Sequence, residues 1–386
     1  MKLGITTFGG DRGTSGIGRY IAELLGQFAR LGPEMEVDVI LHPSDSSTYI
    51  NGFGGLRPIE LGDWFRSPLR NILWHQFGLP RICSRNRYDV LFLPAGNRRL
   101  PWTVSVPSVG TVHDFATLHL AGKYGFSRSL YIRKVLPVLI RNLTRVIAPS
   151  RASARDIIEF ARVPEDKVDC IPIGVDHGRF HPRDPAECQA ALQSSHGIRA
   201  PYLLYVSRLE HPGKNHVRLI RAFDLLRSRL KDPIQLVLAG KDWFREEAIH
   251  AEAQRAHHAG DILFTGFLGD EDLPLLYAGA IGMIFLALYE GFGIPVLEAM
   301  ASGIPVACSN VSSLPEVAGD AALLFDPLEE ESILSAMETM VTEESFRQQA
   351  PARGLEHARS FTWQRTAGRT LESLRKAAQE GGRIVA

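Results

Sequence analysis

The sequence of 386 residues has few cysteines and no long apolar run. Its cysteines, Cys83, Cys170, Cys188 and Cys308, lie far apart and form no CxxC pair, which argues against a disulfide framework and a structural zinc site. No stretch reaches the roughly 18 apolar residues of a membrane span, and the first residues, MKLGITTFGG, lack the apolar run of a signal peptide. We therefore expect a cytoplasmic protein.

Acidic residues are missing from two stretches of the first half. The net charge is zero, but residues 1–175 hold 22 Lys and Arg against 15 Asp and Glu. Residues 64–88 and 115–155 contain no acid, and the first stretch mixes arginines with Trp64, Phe65, Leu69, Trp74 and Phe77. This mixture suits an anionic membrane surface, with Arg66, Arg70, Arg128 and Arg133 as candidate contacts. A solvated basic helix face is the alternative, and the pI of about 7.2 argues against nucleic acid.

Short apolar runs alternate with amphipathic stretches along the whole chain, which indicates parallel sheets covered by helices. The runs of the first half are KLGITTF, EVDVILH, YDVLFLPA, SVGTVHD, RVIAPS and KVDCIPIG. Those of the second half are PYLLYVSR, IQLVLAG, ILFTGF, IGMIFLAL, IPVACSN and AALLFD. We expect an α/β protein with two Rossmann-like domains, 1–176 and 198–365, facing across a cleft, and a helix at about 366–386 that packs back on the first domain.

The segment YEGFGIPVLEAMASGIPV places Glu290 and Glu298 around a glycine turn between a strand and a helix. Glycines allow close backbone approach, and a helix N-terminus offers unpaired N–H groups with a partial positive charge. This geometry favours a phosphate or sugar cradle, in which two carboxylates suit a polyhydroxylated ligand. In the alternative, Glu290 caps backbone amides and Glu298 is exposed.

Two cations follow the strand in YVSRLEHPGKNHVRLIRAF. Arg208 and Lys214 lie on the loop between this strand and an amphipathic helix. An arginine fork and a lysine charge at a strand's carboxyl end would neutralise a diphosphate, although a plain surface loop explains them equally well.

Two weaker motifs lie in the first half. The segment GGDRGTSGIGRYIAELLGQF places Gly16 and Gly18 before a helix expected to begin near Arg19, either as a bare turn or as a phosphate-facing loop. In GTVHDFATLH, a strand ends by presenting His113 and Asp114, which either act in the cleft or form a capped, hydrogen-bonded loop.

Together these motifs resemble the retaining family 4 glycosyltransferases, which have the two-domain GT-B fold. The most specific match is EGFGIPVLEAMASGIPVACSNVSSLPEVAGDAALLFDP, supported by GVDHGRF, SRLEHPGKN and FTWQRTAGRTLESL. Asn215 stands where many members of the family have glycine.

The resemblance implies a role for each candidate residue. Glu290 would contact the hydroxyls of the transferred sugar and Glu298 the ribose, while Arg208 and Lys214 would stabilise the leaving diphosphate. Gly16 would approach the donor phosphate, His113 would contact the donor sugar, and Asp114 would lie on the acceptor side. The remaining donor-binding residues would be Gly266, Phe267 and Leu268 at the base, and Gly291, Phe292, Gly293 and Ile294 in the turn.

The implied reaction transfers a hexose to an acceptor hydroxyl with retention, by front-face attack. Because no D-x-D pair directly follows an apolar strand, we expect neither a metal ion nor a cofactor. Similarity to bacterial surface-polysaccharide mannosyltransferases favours GDP-mannose as donor, with UDP- and dTDP-sugars as alternatives. The acceptor would be a glycan or a lipid-linked glycan at the inner face of the cell membrane. A nucleotide-sugar epimerase and a non-catalytic sugar-nucleotide-binding protein remain open.

Overall fold

The computed structural model describes residues 1–13, 15–31, 35–50, 52–63, 67–119, 130–199 and 201–382. These residues form two compact units. The first contains residues 1–118, 130–174 and 363–382, and the second contains residues 175–362 together with His119. Residues 176–198, which separate the two expected domains, therefore belong to the second unit.

The strands are short, as expected for parallel sheets covered by helices. Those of the first unit are β1 (Lys2–Thr6), β2 (Glu36–Leu41), β3 (Leu56–Glu60), β4 (Val90–Leu93), β5 (Ser108–Thr111), β6 (Arg145–Ala148) and β7 (Val168–Cys170). Those of the second unit are β8 (Tyr202–Val206), β9 (Leu209–Glu210), β10 (Gln235–Ala239), β11 (Asp242–Phe244), β12 (Ile262–Gly266), β13 (Gly282–Phe285), β14 (Val306–Ser309) and β15 (Leu323–Phe325).

Helices connect the strands. In the first half they are α1 (Gly16–Phe28), α2 (Ser46–Tyr49), α3 (Pro68–Asn86), α4 (Ala116–His119), α5 (Leu136–Arg141), which follows a π-helical turn at Tyr131–Val135, and α6 (Arg151–Ala161). The rest are α7 (Pro185–His196), α8 (His216–Arg229), α9 (Glu247–Arg255), α10 (Asp272–Ala278), α11 (Ile294–Ala301), α12 (Leu314–Ala318), α13 (Glu330–Thr342), α14 (Glu344–Ala358) and α15 (Trp363–Gly382).

The first unit is built on a seven-stranded parallel sheet with the order β3-β2-β1-β4-β5-β6-β7. In the register of β1, Ile5 lies between Val39 of β2 and Phe92 of β4. All three side chains are buried, as expected for a central parallel strand with both faces covered. The last helix, α15, packs on this unit, where the Oγ1 of Thr366 donates to the carbonyl of Pro172 at 2.9 Å.

The second unit has a six-stranded parallel sheet with the order β12-β10-β8-β13-β14-β15, and a separate parallel pair, β11-β9. Counted from its own first strand, the large sheet has the order 3-2-1-4-5-6 of a Rossmann fold. Tyr205 on β8 packs edge-on against Phe285 on β13, with ring centroids 5.5 Å apart. These two central strands therefore anchor the core of the unit.

The residues predicted to contact a membrane are only partly described. Trp64, Phe65, Arg66 and Arg128 lie outside the described residues, whereas Arg70 and Arg133 are exposed. The prediction for Trp74 is wrong, because its side chain is only 5% exposed and packs against Phe8 and His75. Among the described helices, none is both long enough and apolar enough to cross a membrane.

Candidate active site

The strand order of the second unit locates a candidate site. The order reverses between β8 and β13, and open α/β sheets bind ligands at such a reversal, beyond the carboxyl ends of the strands. Arg208 and Lys214 lie between β8 and α8, on either side of the short strand β9, and the loop after β13 carries Glu290. Three of the predicted residues therefore lie on the two loops that flank this switch point.

A salt bridge joins these two loops. The Nζ of Lys214 contacts the Oε1 of Glu290, and their side chains are 14% and 21% exposed. The backbone supports the contact, because the amide of Leu288 donates to the carbonyl of Gly213 at 2.9 Å. The hydroxyl of Tyr205 also donates to the carbonyl of Lys214 at 2.6 Å. The structure thus brings Lys214 and Glu290 together. The carboxylate of Glu290 pairs with a cation, in contrast to the alternative in which it caps backbone amides.

Asn215 holds the shape of the loop that carries Lys214. Its φ is +60°, in the left-handed region, which asparagine tolerates better than most residues. Its Nδ2 donates to the carbonyl of Pro327 at 2.7 Å, and its Oδ1 accepts from Arg218 at 3.0 Å. The side chain therefore fixes the turn from which α8 begins.

Arg208 is held separately from the salt bridge between Lys214 and Glu290. Its Nη2 donates to the Oε2 of the buried Glu210 at 3.0 Å. Its guanidinium also lies 5.0 Å from the ring centroid of Trp243, at cation–π distance. Glu210 and Trp243 thus position a guanidinium that is still about 39% exposed and able to meet a ligand.

The glycine turn of residues 291–293 is fastened by serines from a distant segment. The Oγ of Ser313 donates to the carbonyls of Glu290 and Phe292 at 2.8 and 2.9 Å. The Oγ of Ser312 accepts from the amide of Glu290 at 2.9 Å. Gly293 has a φ of +103°, and a Cβ there would lie 2.7 Å from Leu314, so this position requires glycine. The turn is therefore rigid before α11 begins at Ile294.

Glu298 lies in α11 and is buried, not exposed. The hydroxyl of Tyr277 donates to its Oε2 at 2.8 Å. Burial, and then the neighbouring carboxylate, raise the pKa of Tyr277 well above its ordinary value, so the phenol stays a donor. Tyr277 therefore sets the orientation of the Glu298 carboxylate.

The predicted base-binding segment lies farther from the switch point. Gly266 ends β12, which is separated from β8 by β10. The carbonyl of Gly266 accepts from the amide of Gly240 at 2.9 Å. Phe267 is exposed and Leu268 half-buried, so a flat apolar ring is available at this edge.

The glycine loop of the first unit leads directly into α1. Helix α1 begins at the exposed Gly16 rather than near Arg19, because the Oγ of Ser15 caps it by accepting from the amide of Gly18 at 3.2 Å. A Cβ at Gly18 would lie 2.1 Å from the carbonyl oxygen of Gly10. Gly18 is thus required by packing, while Gly16 is the glycine open to solvent.

His113 and Asp114 follow β5 in the first unit. His113 is buried, its Nε2 donates to the carbonyl of Pro94 at 2.8 Å, and its ring packs edge-on against Tyr20. Burial lowers the pKa of His113 to about 4, so the ring is neutral at physiological pH. The Oδ1 of Asp114 accepts from the amide of Ala116 at 3.1 Å. Both residues thus have local structural partners on this loop.

Within the described ranges, no three His, Cys, Asp or Glu side chains are grouped as a metal site requires. Residues that the sequence patterns did not indicate complete the site: Glu210, Trp243, Tyr277, Ser312 and Ser313. Of these residues only Ser313 has a recognisable sequence pattern, since Ser313 and Glu316 have the spacing of a capping box at a helix N-terminus. The Oγ of Ser313 instead bonds the glycine turn.

Comparison with known proteins gives the family. The first half matches the family described as Glycosyltransferase Family 4 over residues 14–179, and the second matches Glycosyl transferases group 1 over residues 191–357. O-antigen chain mannosyltransferase B of Escherichia coli is 33% identical over 268 residues, 69% of this chain and 70% of that protein. The chain belongs to the family 4 glycosyltransferases.

Further similarities agree with this assignment. The serotype-specific mannosyltransferase WbdA of Escherichia coli is 30% identical over 74% of the chain, which covers 35% of WbdA. Sucrose-phosphate synthase of Thermosynechococcus elongatus matches with a TM-score of 0.78 at 18% identity, over 97% of this chain and 98% of that one. HepE of Anabaena, in complex with UDP-glucose, matches with a TM-score of 0.75 at 18% identity, over 97% and 100%. The predicted GT-B fold and glycosyltransferase class are confirmed.

Proposed function

We propose that this glycosyltransferase is a retaining mannosyltransferase that uses GDP-mannose. Its acceptor is a lipid-linked glycan or an oligosaccharide of a bacterial surface polysaccharide. Mannose is supported by the identity to the O-antigen mannosyltransferases, and the transfer chemistry by the salt bridge between Lys214 and Glu290 at the switch point. The enzyme then acts at the inner face of the cell membrane, where lipid-linked glycans are built.

The cations have the central role in the proposed chemistry. A departing nucleoside diphosphate gains negative charge, which Arg208 and Lys214 neutralise from preorganised positions. Glu290 holds Lys214 in position, and a bound diphosphate shares this lysine. Because the two cations supply the required charge, we infer that the transfer needs no divalent metal ion.

The carboxylates bind the hydroxyl groups of the donor. Glu290 at the glycine turn accepts from hydroxyls of the mannose, and Glu298, oriented by Tyr277, accepts from the ribose. The amides of the turn before α11 face the diphosphate, with the base at Gly266, Phe267 and Leu268. In the first unit, Gly16 approaches the donor phosphate, His113 contacts the sugar as a neutral ring, and Asp114 lies on the acceptor side.

No separate nucleophile is required in this proposal. In front-face attack the leaving phosphate oxygen takes the proton of the acceptor hydroxyl as the glycosidic bond forms on the same face. The leaving group therefore serves as the base, and the enzyme stabilises charge and excludes water.

A thermal-shift panel tests the donor. A ligand at a hundred times its dissociation constant stabilises a protein by about 2.7 kcal/mol. At equal concentrations the donor that binds most tightly raises the melting temperature most, so GDP-mannose should give a larger shift than UDP-glucose or dTDP-rhamnose. A larger shift with UDP-glucose, the ligand of HepE, would favour a glucosyl donor. Transfer of mannose in the presence of EDTA tests the metal-independent part, and loss of transfer would contradict it.

A further inference from the structure

Helix α3 presents an apolar stripe to solvent in addition to its buried face. Trp74, Leu79 and Cys83 face the core of the first unit. On the opposite side Leu69, Leu73 and Phe77 are exposed, Leu69 by 74% and Phe77 by 61%, and Ile72 near the start of the helix is 44% exposed. Exposed apolar side chains at this helical spacing form a continuous patch of the kind that marks a binding surface.

The loop after β4 extends this patch. The side chain of Gln76 on α3 donates to the carbonyl of Leu100 at 3.1 Å and accepts from the amide of Trp102 at 2.6 Å. These bonds hold the loop against the helix, and they place Trp102, 54% exposed, beside the stripe. We name Leu69, Ile72, Leu73, Phe77 and Trp102 the apolar patch.

Positive charge and hydroxyl groups adjoin the apolar patch. Arg70, Arg81 and Arg85 are exposed on α3, and the Nη1 of Arg81 donates to the carbonyl of Phe77 at 2.8 Å. Farther along the helix, a shallow surface depression is lined by Arg81, Ser84, Arg85, Thr103 and Ser105. Guanidinium and hydroxyl groups of this kind bind phosphate oxygens.

We propose that the apolar patch and its arginines dock the enzyme on an anionic lipid membrane. The apolar side chains enter the interface, the arginines meet lipid phosphates, and headgroups occupy the depression. Docking brings the enzyme to the membrane that carries the lipid-linked acceptor, and this part of the proposal rests on the proposed function. Trp74 lies on the same helix but takes no part in this docking, because its side chain is buried.

The charge and the apolar side chains of this surface argue against two other partners, a second copy of the chain and nucleic acid. A second copy of the chain, docked through the same patch, would oppose Arg70, Arg81 and Arg85 with identical arginines, and residues 64–88 offer no acid to pair with them. Nucleic acid would meet the arginines but leave the leucines and Phe77 without apolar partners. An anionic bilayer satisfies both groups.

Co-sedimentation with vesicles tests the proposal without donor or acceptor. The vesicles contain equal parts of phosphatidylglycerol and phosphatidylcholine, with phosphatidylcholine alone as comparison. Each arginine near an anionic surface is worth roughly fivefold in affinity, so Arg70→Glu with Arg81→Glu should weaken binding by roughly 25-fold or more. Leu73→Gln with Phe77→Gln should weaken binding by at least about tenfold, even in high salt, because apolar insertion is not screened.

Matched variants separate this surface from general charge and hydrophobicity. Arg353→Glu with Arg375→Glu changes the same charge at exposed positions of α14 and α15, and Leu225→Gln with Leu328→Gln removes exposed leucines from the second unit. Both controls should bind vesicles as the wild type does. Because every substituted side chain is exposed, circular dichroism and the thermal shift with GDP-mannose should be unchanged.

Three results would overturn the proposal. One is a wild-type protein that ignores anionic vesicles at low salt, and another is an equal loss of binding in the controls. The third is a wild-type oligomer in lipid-free sedimentation that Phe77→Gln dissociates, which would assign the patch to a second copy. Vesicle binding by a protein that transfers no mannose would refute only the proposed function.

Discussion

Replacing Lys214 with methionine tests the central charge of the candidate site. Methionine keeps an apolar chain of similar length near Phe285, whose ring centroid lies 5.8 Å from the Lys214 Nζ, and it removes only the charge. Lys214 is 14% exposed, so water screens its charge weakly. A preorganised group that stabilises developing charge contributes about 3 kcal/mol, and kcat should therefore fall by roughly 150-fold.

The assay must separate turnover from binding. Initial rates at saturating GDP-mannose give kcat, and calorimetry gives the donor dissociation constant. Most of the extra charge on the diphosphate appears only in the transition state, so the dissociation constant should change far less than kcat. Lys231→Met removes an exposed lysine from the loop before β10, at the amino ends of the strands and away from the candidate site. It should leave both values unchanged. An unchanged kcat in Lys214→Met would refute the assigned role.

Three further substitutions test other parts of the site. Glu290→Gln should reduce mannose transfer by ~10-fold or more while affinity for GDP survives, because only sugar contacts lose their charge assistance; calorimetry with GDP showing an equal loss would contradict this. Tyr277→Phe removes the 2.8 Å bond to Glu298 and should weaken GDP and GDP-mannose alike by about 1 kcal/mol, so an effect on the sugar nucleotide alone would contradict the ribose assignment. His113→Gln tests linkage to pH. Burial lowers the pKa of His113 from 6.5 to about 4, so the neutral ring contributes stability fully above pH 6.5 and loses it as pH falls towards 4. Between these limits the unfolding free energy of the wild type should fall about 3 kcal/mol more than that of the variant. Urea titrations at a series of pH values measure these free energies, and an equal fall with pH in both proteins would contradict the prediction.

The strands of this protein could be predicted from the sequence because most of them are buried and apolar. Every apolar run predicted to be a strand contains one. The edge strand β3 was missed, since its residues are mostly exposed and include Pro58. Strands β9 and β11 were missed because they have only two and three residues. Apolar patterning records burial, so elements without burial leave little signal.

The residues of the candidate site also differ in whether the sequence could locate them. Arg208, Lys214 and Glu290 could be located because each follows a central strand, and strand ends are visible in the sequence. Tyr277 and Ser313 could not be located, because their roles depend on contacts with residues 21 and 23 positions away in the chain. Sequence patterns therefore located the groups proposed to meet a ligand and missed those that hold these groups in place.

The sheets of the two units share the strand order 3-2-1-4-5-6, to which the first adds a seventh strand, but the charged residues at the switch points are arranged in opposite ways. In the second unit the cation, Lys214, follows the first central strand, and the carboxylate, Glu290, follows its neighbour across the switch point. In the first unit the carboxylate of Asp11 follows β1, and Arg98 follows β4, donating to Asp11 at 2.6 Å and to the carbonyl of Gly9 at 2.8 Å.

The shared fold therefore fixes where loops converge, while the side chains on those loops decide which charge a ligand meets there. Cations beside a glycine turn that precedes a helix suit a diphosphate. The second unit combines Arg208 and Lys214 with the turn before α11, whereas in the first unit Arg98 is bound to its own glycine loop. This difference favours the second unit as the one that binds the nucleotide.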